Sequence, residues 1–328
     1  MADRAHVLET VQIGLEVTPG TLVTAPTNVR GMSIGMTMGG GADIFRPDGR
    51  KFPAVIAPNA EWSTWSLTGK PTYTEICYPL ENIYGPPVGG VTIVGVLGRK
   101  RVYEMSDTAV AAPHTLTIEK GNSVRAQRIT YGLLHDLAFS FSRAAGLSVT
   151  GAGIGQLFTD GVTMTASPVD VPLIPLMGKQ LNCYIDPTAA ALGTTKMLRA
   201  FSFAPSLTGA YGPIWVMDST LGSFASAIDL APTTSLKLRV EADASGMAYL
   251  TQYRAGTQIF VRLDATGPIF EAALPYKFQY DVSLGIKTVT TDIDETGVTV
   301  VEYDCEFVKD TTWTKAFSIS TTNITAAL

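Results

Sequence analysis

Ile286-Lys287-Thr288-Val289-Thr290-Thr291, Asp292-Ile293-Asp294-Glu295-Thr296-Gly297 and Val298-Thr299-Val300-Val301-Glu302-Tyr303-Asp304-Cys305-Glu306-Phe307-Val308 follow one another near the end of the chain. Two runs rich in Val, Ile, Thr and Tyr flank a polar segment that ends in glycine, and this pattern predicts a β-hairpin. Side chains alternate across a strand, so Val301, Tyr303, Cys305 and Phe307 share one face while Glu302, Asp304 and Glu306 share the other. The first face is core. The second is a row of carboxylates ~7 Å apart, tolerable where water and counter-ions reach. A row like this is either an ordinary solvent-facing side or a negative wall past which DNA slides without being held. The solvent-facing reading is slightly favoured, because the corresponding stretch of the first half, Leu147 to Leu157, has glycines where the acids would be.

The same strand chemistry recurs outward from the hairpin. Val11 to Val17, Leu133 to Ser142, Leu181 to Ile185 and Tyr276 to Leu284 all read as strands, and 31 Gly with 19 Pro supply turns. The fold class expected is mainly β. The chain also resembles itself. Val29-Arg30-Gly31-Met32-Ser33-Ile34 returns as Leu198-Arg199-Ala200-Phe201-Ser202-Phe203, and Ser66-Leu67 returns as Ser235-Leu236, both at an offset of 169 residues. A repeat this long is a whole domain. Ser167 to Pro175 carries three prolines, which exclude a helix and favour an extended connector. The expected domains are therefore 1–167 and 168–328.

Each half holds a short helix after its Ser-Leu strand. Asp243 or Ser245 caps the second, Leu250 and Tyr253 sit on it, and Gly256 stops it. Pro71 starts the first, with Ile76, Leu80 and Ile83 as its apolar stripe, Gly85 as its stop, and Pro79 as a discordant note in its middle. Beyond the helix the first half has about 26 additional residues, within 86–127, judged by the loss of the common offset. They include Val91 to Val96, the basic group Arg99-Lys100-Arg101, Glu104, and His114 to Ile118. The expectation is a β-arm with a polar tip, a candidate for contact between stacked rings.

Only 16% of residues are charged while 46% are hydrophobic, which excludes disorder and is consistent with surface hidden by assembly. A net charge of −5 argues against nucleic-acid grip as the main activity. Cys77, Cys183 and Cys305 lie far apart, so neither a disulfide framework nor zinc is implied, and a reduced compartment is expected. Met1 to His6 has no apolar leader, and the greasy run Val88 to Leu97 is too short to span a bilayer, so synthesis in the cytoplasm without membrane association is expected.

Catalytic patterns are missing. His6, His114 and His135 have no metal-ligand spacing. Gly151-Ala152-Gly153-Ile154-Gly155 lies among strand-like residues and is followed by no helix, so it is not a dinucleotide loop. Asp292 to Glu295 starts like a calcium loop, but the rest of that loop is absent. No enzyme, metal or cofactor is expected.

The opening Gln12-Ile13-Gly14-Leu15-Glu16-Val17-Thr18-Pro19-Gly20-Thr21-Leu22-Val23-Thr24-Ala25-Pro26-Thr27 resembles the start of the tail tube (major tail) proteins of long-tailed, non-contractile bacteriophages. The similarity is close over about twenty residues and loose elsewhere. It implies tandem β-sandwich or partial-barrel modules, each with one flanking helix, in a virion. Such modules join their sheets into an inner barrel, stack as rings, assemble around a tape-measure protein, meet tail-tip and terminator proteins, and let DNA pass without specific binding. Six modules make a ring in that family, so three doubled chains would complete one; a hexamer with one half outside is the rival arrangement. Glu302, Asp304 and Glu306 are then candidate lumen-facing acids, and Arg99, Lys100, Arg101 and Glu104 a candidate inter-ring arm. The alternative function is a two-domain β-sandwich adhesin or lectin-like binding module, to which exposed clustering of Trp62, Trp65 and Trp215 would point.

Overall fold

In the computed structural model of the chain, residues 6–328 are described; Met1 to Ala5, read above as lacking a leader, lie outside them. The protein is mainly β. The first half contains β1 (Thr10–Leu15), β2 (Thr27–Val29), β3 (Met32–Phe45), β4 (Val55–Gly69), α1 (Cys77–Tyr84), β5 (Thr92–Val94), β6 (Gly98–Tyr103), β7 (Leu116–Gly121), β8 (Ala126–Ser142), β9 (Gly146–Gly155) and β10 (Phe158–Val162). After β11 (Val169–Asp170) come β12 (Leu181–Asp186), β13 (Lys196–Met197), β14 (Ala200–Thr208), β15 (Tyr211–Ile214), β16 (Ser226–Asp229), β17 (Thr233–Glu241), α2 (Ala244–Met247), α3 (Leu250–Ala255), β18 (Ile259–Glu271), β19 (Leu274–Glu295), β20 (Val298–Phe307) and β21 (Phe317–Asn323).

Neighbouring strands follow the order β3-β4-β9-β8-β7-β1-β2 in the first half. In the second they follow β14-β17-β20-β19-β18-β12-β13. Position by position the two orders are alike, with a helical segment after the second strand of each and a further strand, β10 or β21, against the start of β8 or β19. β8 and β19 run for 17 and 22 residues, long enough for each to take one set of neighbours along its first part and another along its last. The pairing with the next strand shifts between Leu134 and Asp136 in β8 and between Ile286 and Thr288 in β19. A bulge bends a strand and increases its twist, and here it lies close to where each strand exchanges one set of neighbours for another.

The halves meet edge to edge. The last part of β8 pairs with β14, setting Phe141 against Phe203 and Leu137 against Leu207. The result is one ladder of hydrogen bonds, β3-β4-β9-β8-β14-β17-β20-β19. Behind it, Phe141 lies 5.9 Å from Phe203 and 5.6 Å from Phe278, and Phe203 lies 5.7 Å from Tyr280, ring centre to ring centre. Edge-on and tilted aromatic pairs each add ~0.5–1.5 kcal/mol beyond the area they bury. This cluster cements the seam.

Several sequence expectations change here. Tyr276–Leu284 and Ile286–Thr291 are one strand, β19, because Gly285 is accommodated within it. The common offset of 169 does not survive pairing. Ile34 faces Leu67, whereas Phe203 faces Leu238 rather than Leu236, a slip of two residues. An even slip leaves every side chain on its own face, so the core tolerates it. The additional residues of the first half, between Gly85 and Leu116, do not form a free arm. β6 pairs with β21, and Arg101 is only 1% exposed. Helix α1 is buried along its whole length, with Pro79 in the first turn, where helix N–H groups lack intrahelical partners anyway. The second helical segment begins as expected, Asp243 accepting from the Gly246 N–H, and ends on Gly256 at φ 63°. The proline-rich connector is extended and pinned: β11 runs parallel to β2, and the Ile174 carbonyl accepts the Tyr73 N–H.

Truncating the seam's central ring is expected to be costly. Phe141→Ala should lower unfolding free energy by about 3–5 kcal/mol, the range for a buried phenylalanine. Urea denaturation checks this value.

Candidate functional site

The eight-stranded ladder has two unlike faces. One is the aromatic and aliphatic core. The other carries Ser33 and Thr37 on β3, Thr64, Ser66 and Thr68 on β4, Ser148 and Thr150 on β9, Ser140 and Ser142 on β8, and Ser202 and Ser206 on β14. Registers bring these side chains into rows: Thr68 opposes both Ser33 and Thr150, and Ser142 opposes Ser202. Ser206 and Ser235 share a hydrogen bond of 2.7 Å across β14 and β17. Strand alternation produces this face directly, because every second residue is apolar and turned inward.

Glu302, Asp304 and Glu306 stand on the same face, at the β20 end of the ladder. They are not a bare negative row. Arg239 Nε donates to Glu302 at 2.6 Å, Lys237 lies 3.7 Å from Glu302, and Lys287 lies 3.3 Å from Glu306. Asp304 is the cross-strand partner of Lys237. Sequence reading found the acids from their spacing. It missed the bases, because register across β17 and β19 is not written in β20 itself.

Of the second residue group, Arg99 donates to the carbonyls of Val96, Leu97 and Gly98. Lys100 is exposed. Arg101 donates to Asn323 Oδ1 at 3.2 Å and to the Thr325 carbonyl at 2.7 Å. Glu104 accepts from Lys315 at 2.5 Å and Ser318 at 2.8 Å. Arg101 and Glu104 therefore tie the extra hairpin to the C-terminal strand of the same chain. A buried guanidinium needs such partners, since desolvation would otherwise be prohibitive.

The ladder ends in two open edges. β3 pairs only with β4, and beyond Leu284 β19 pairs only with β20 among the described residues. Open edges present unpaired backbone donors and acceptors, ready for another strand.

The residues of the opening motif have a structural task. Glu16 is 2% exposed and accepts four hydrogen bonds: from the N–H groups of Gly20 and Tyr131 at 2.8 and 3.0 Å, and from the hydroxyls of Thr115 and Thr117 at 2.6 and 2.9 Å. Gly20 closes the turn at φ 78°, a conformation that favours glycine. The motif thus locks the end of β1 onto β7 and β8.

Among the described residues no cluster of three or more His, Cys, Asp and Glu could hold a metal ion, and no helix is long and apolar enough to cross a membrane. All three cysteines are buried, and burial pushes the Cys183 and Cys305 thiols up to about 12. Of the tryptophans, Trp65 is buried and donates to the Ile154 carbonyl. Trp62 and Trp215 meet edge-on at 5.8 Å beside a cleft of about 480 Å³ that Phe224, Pro213 and Asn59 help to line.

No family model matches the chain, and no curated protein matches it. A solved structure of the SPP1 tail tube is similar in part, at 14% identity over 46% of this chain and 81% of that one, with a TM-score of 0.30. A likeness that loose carries no argument about what this chain does.

Two predictions concern buried carboxylates. Glu16→Ala strands four donors and should cost roughly 3 kcal/mol by chemical denaturation. His114 Nδ1 lies 2.8 Å from Glu81, and that hydrogen bond, opposed by partial burial, raises the imidazole pKa. A raised folded pKa gives stability that is fully present below the unfolded value and lost as pH rises through the folded one. His114→Gln should therefore cost more at pH 5.5 than at pH 8, by under ~1 kcal/mol because the ring is half-exposed. Melting curves at both pH values check the sign.

Proposed function

We propose that this chain is a structural, non-enzymatic virion protein: two copies of one tail-tube module in tandem, three chains closing a ring, and rings stacking into a hollow phage tail tube. The observation that carries this reading is the seam. The end of β8 pairs with β14, and the ladder finishes in two open edges of the corresponding kind, β19 and β3. If β19 does to the β3 of the next copy what β8 does to β14, each chain extends the ladder by the same rotation. Heterologous contacts of that kind close into rings. Closure would also remove the exposed edges, which otherwise invite aggregation.

The lining supports the same reading. A hydroxyl-rich face with its acids matched by Lys237, Arg239 and Lys287 offers DNA no field strong enough to hold it. On this reading the partners are further copies, a tape-measure protein and the tail-tip and terminator proteins. No cofactor or membrane is called for. Six modules per ring, the count implied by resemblance of the opening motif to the tail tube family, gives the trimer; a hexamer with one half outside is the competing arrangement. The rival function, an adhesin or lectin-like module, rests on the Trp62–Trp215 cleft.

Donors alternate sides along a strand, so of two adjacent N–H groups on β3, one points to β4 and the other to the open edge. Proline at Met36 and at Thr37, tested separately, should give one variant that misfolds and one that melts like wild type yet stays monomeric. Mass photometry and negative-stain microscopy read the outcome. Rings from the variant that folds, or a wild-type chain that never leaves the monomer, would count against the proposal.

A further inference from the structure

We infer that the tip of the β3–β4 hairpin docks on the opposite rim of a second copy in the adjacent ring, seating on the turn between β19 and β20. This rests on the tail-tube reading and adds the stacking contact to it.

β9 supports β4 only from Ser63 onward. Beyond that point β3 and β4 continue as a two-stranded ribbon out to the Phe45–Val55 pair. Ile44, Phe45, Phe52 and Ile56 on this ribbon are 61%, 56%, 78% and 67% exposed. An isolated two-stranded ribbon is marginal in water, and apolar groups exposed on both of its sides mark a contact surface. Its tip carries Arg46, Arg50 and Lys51 against one acid, Asp48, all exposed.

Register fixes where the tip points. The end of β14 at Thr208 pairs with the start of β17 at Thr233, at the same end of the ladder as the hairpin tip. The far end is where Glu241 pairs with Val300, and the β19–β20 turn lies beyond it. That turn carries Asp292, Asp294 and Glu295 and no base from Thr291 to Gly297. Arg239 lies 3.6 Å from Glu295, while Asp292 and Asp294 are exposed. A basic projection at one rim and an acidic turn at the other complement each other head to tail.

The two halves differ at both rims, and this fixes the rotation between rings. In the second half the connection equivalent to the hairpin folds back on its own chain: the Tyr211 hydroxyl donates to the Ile83 carbonyl at 2.7 Å, and Phe224 is 1% exposed. That connection exposes Trp215, Val216 and Met217 but carries no base from Gly209 to Pro232, so among the described residues the basic tip at this rim is the β3–β4 hairpin. At the far rim, the first half's turn between β8 and β9 is Arg143-Ala144-Ala145, with no acid. Each chain thus offers one basic tip and one acidic turn, and the alternative seat repels the tip. Such pairing of an attractive seat with a repulsive one is how specificity is set.

The test is charge reversal in the full chain. Arg46→Glu/Arg50→Glu/Lys51→Glu should melt like wild type and still form single rings, but tube length by negative-stain microscopy should fall at least tenfold. Adding Asp292→Lys/Asp294→Lys to the same chain should restore tubes. Wild-type-length tubes from the triple variant, loss of rings in it, or failure of the combined variant to regain tubes would each overturn the contact while leaving the ring proposal standing. A wild-type chain that makes no rings would instead remove the tail-tube reading itself.

Discussion

The hydrogen-bonding capacity of two long strands organises this molecule. β8 pairs with β7 and β10 on the two sides of its first part and with β9 and β14 on the two sides of its last part. β19 pairs with β18, β20 and β21 in the corresponding places and has no fourth partner among the described residues. Backbone groups demand partners, and an edge that lacks them is costly once water is excluded. The asymmetry between the two strands is therefore an energetic statement. β8 has inside the chain a neighbour that β19 lacks among the described residues.

The bulges make this double membership feasible. A straight strand would stay in one sheet, and the aromatic cluster behind the seam would lose its second wall. By shifting register at Leu134–Asp136 and at Ile286–Thr288, each strand turns its later residues into the eight-stranded ladder while its earlier residues stay with β7 or β18. Phe139 and Phe141 then reach Tyr280 and Phe278, residues of the other long strand. The core is thus shared between halves, and the seam is buttressed from behind as well as hydrogen-bonded along its edge.

What the sequence disclosed follows the range of the forces involved. Alternation in β20 and the Asp243 and Gly256 caps are local, and each was legible. Helix α1 was legible from the spacing of Ile76, Leu80 and Ile83 and from its Gly85 stop, with Pro79 the discordant residue until its place in the first turn is known. The basic group at Arg99 to Arg101 misled. Charge ordinarily signals exposure, yet Arg101 is satisfied by Asn323 and Thr325, more than two hundred residues away. The projecting hairpin was overlooked for the opposite reason. Ile44, Phe45, Val55 and Ile56 are apolar yet exposed, and nothing local says that no third strand covers them. The acids at 302, 304 and 306 were placed on a polar face, but their neutralising bases come from register with β17 and β19, which only the assembled sheet defines.

The two halves share an order of strands but differ at their turns and on the polar face. Hydroxyls run across both halves as far as Ser235, while that face's paired charges stand on β17, β19 and β20; one half extends its hairpin and the other folds the equivalent connection back; one turn is acidic and its counterpart carries Arg143. Differences confined to the turns and the polar face leave undisturbed the apolar face that the strand order depends on, and a two-residue slip between β14 and β17 is the sort of change that face can absorb.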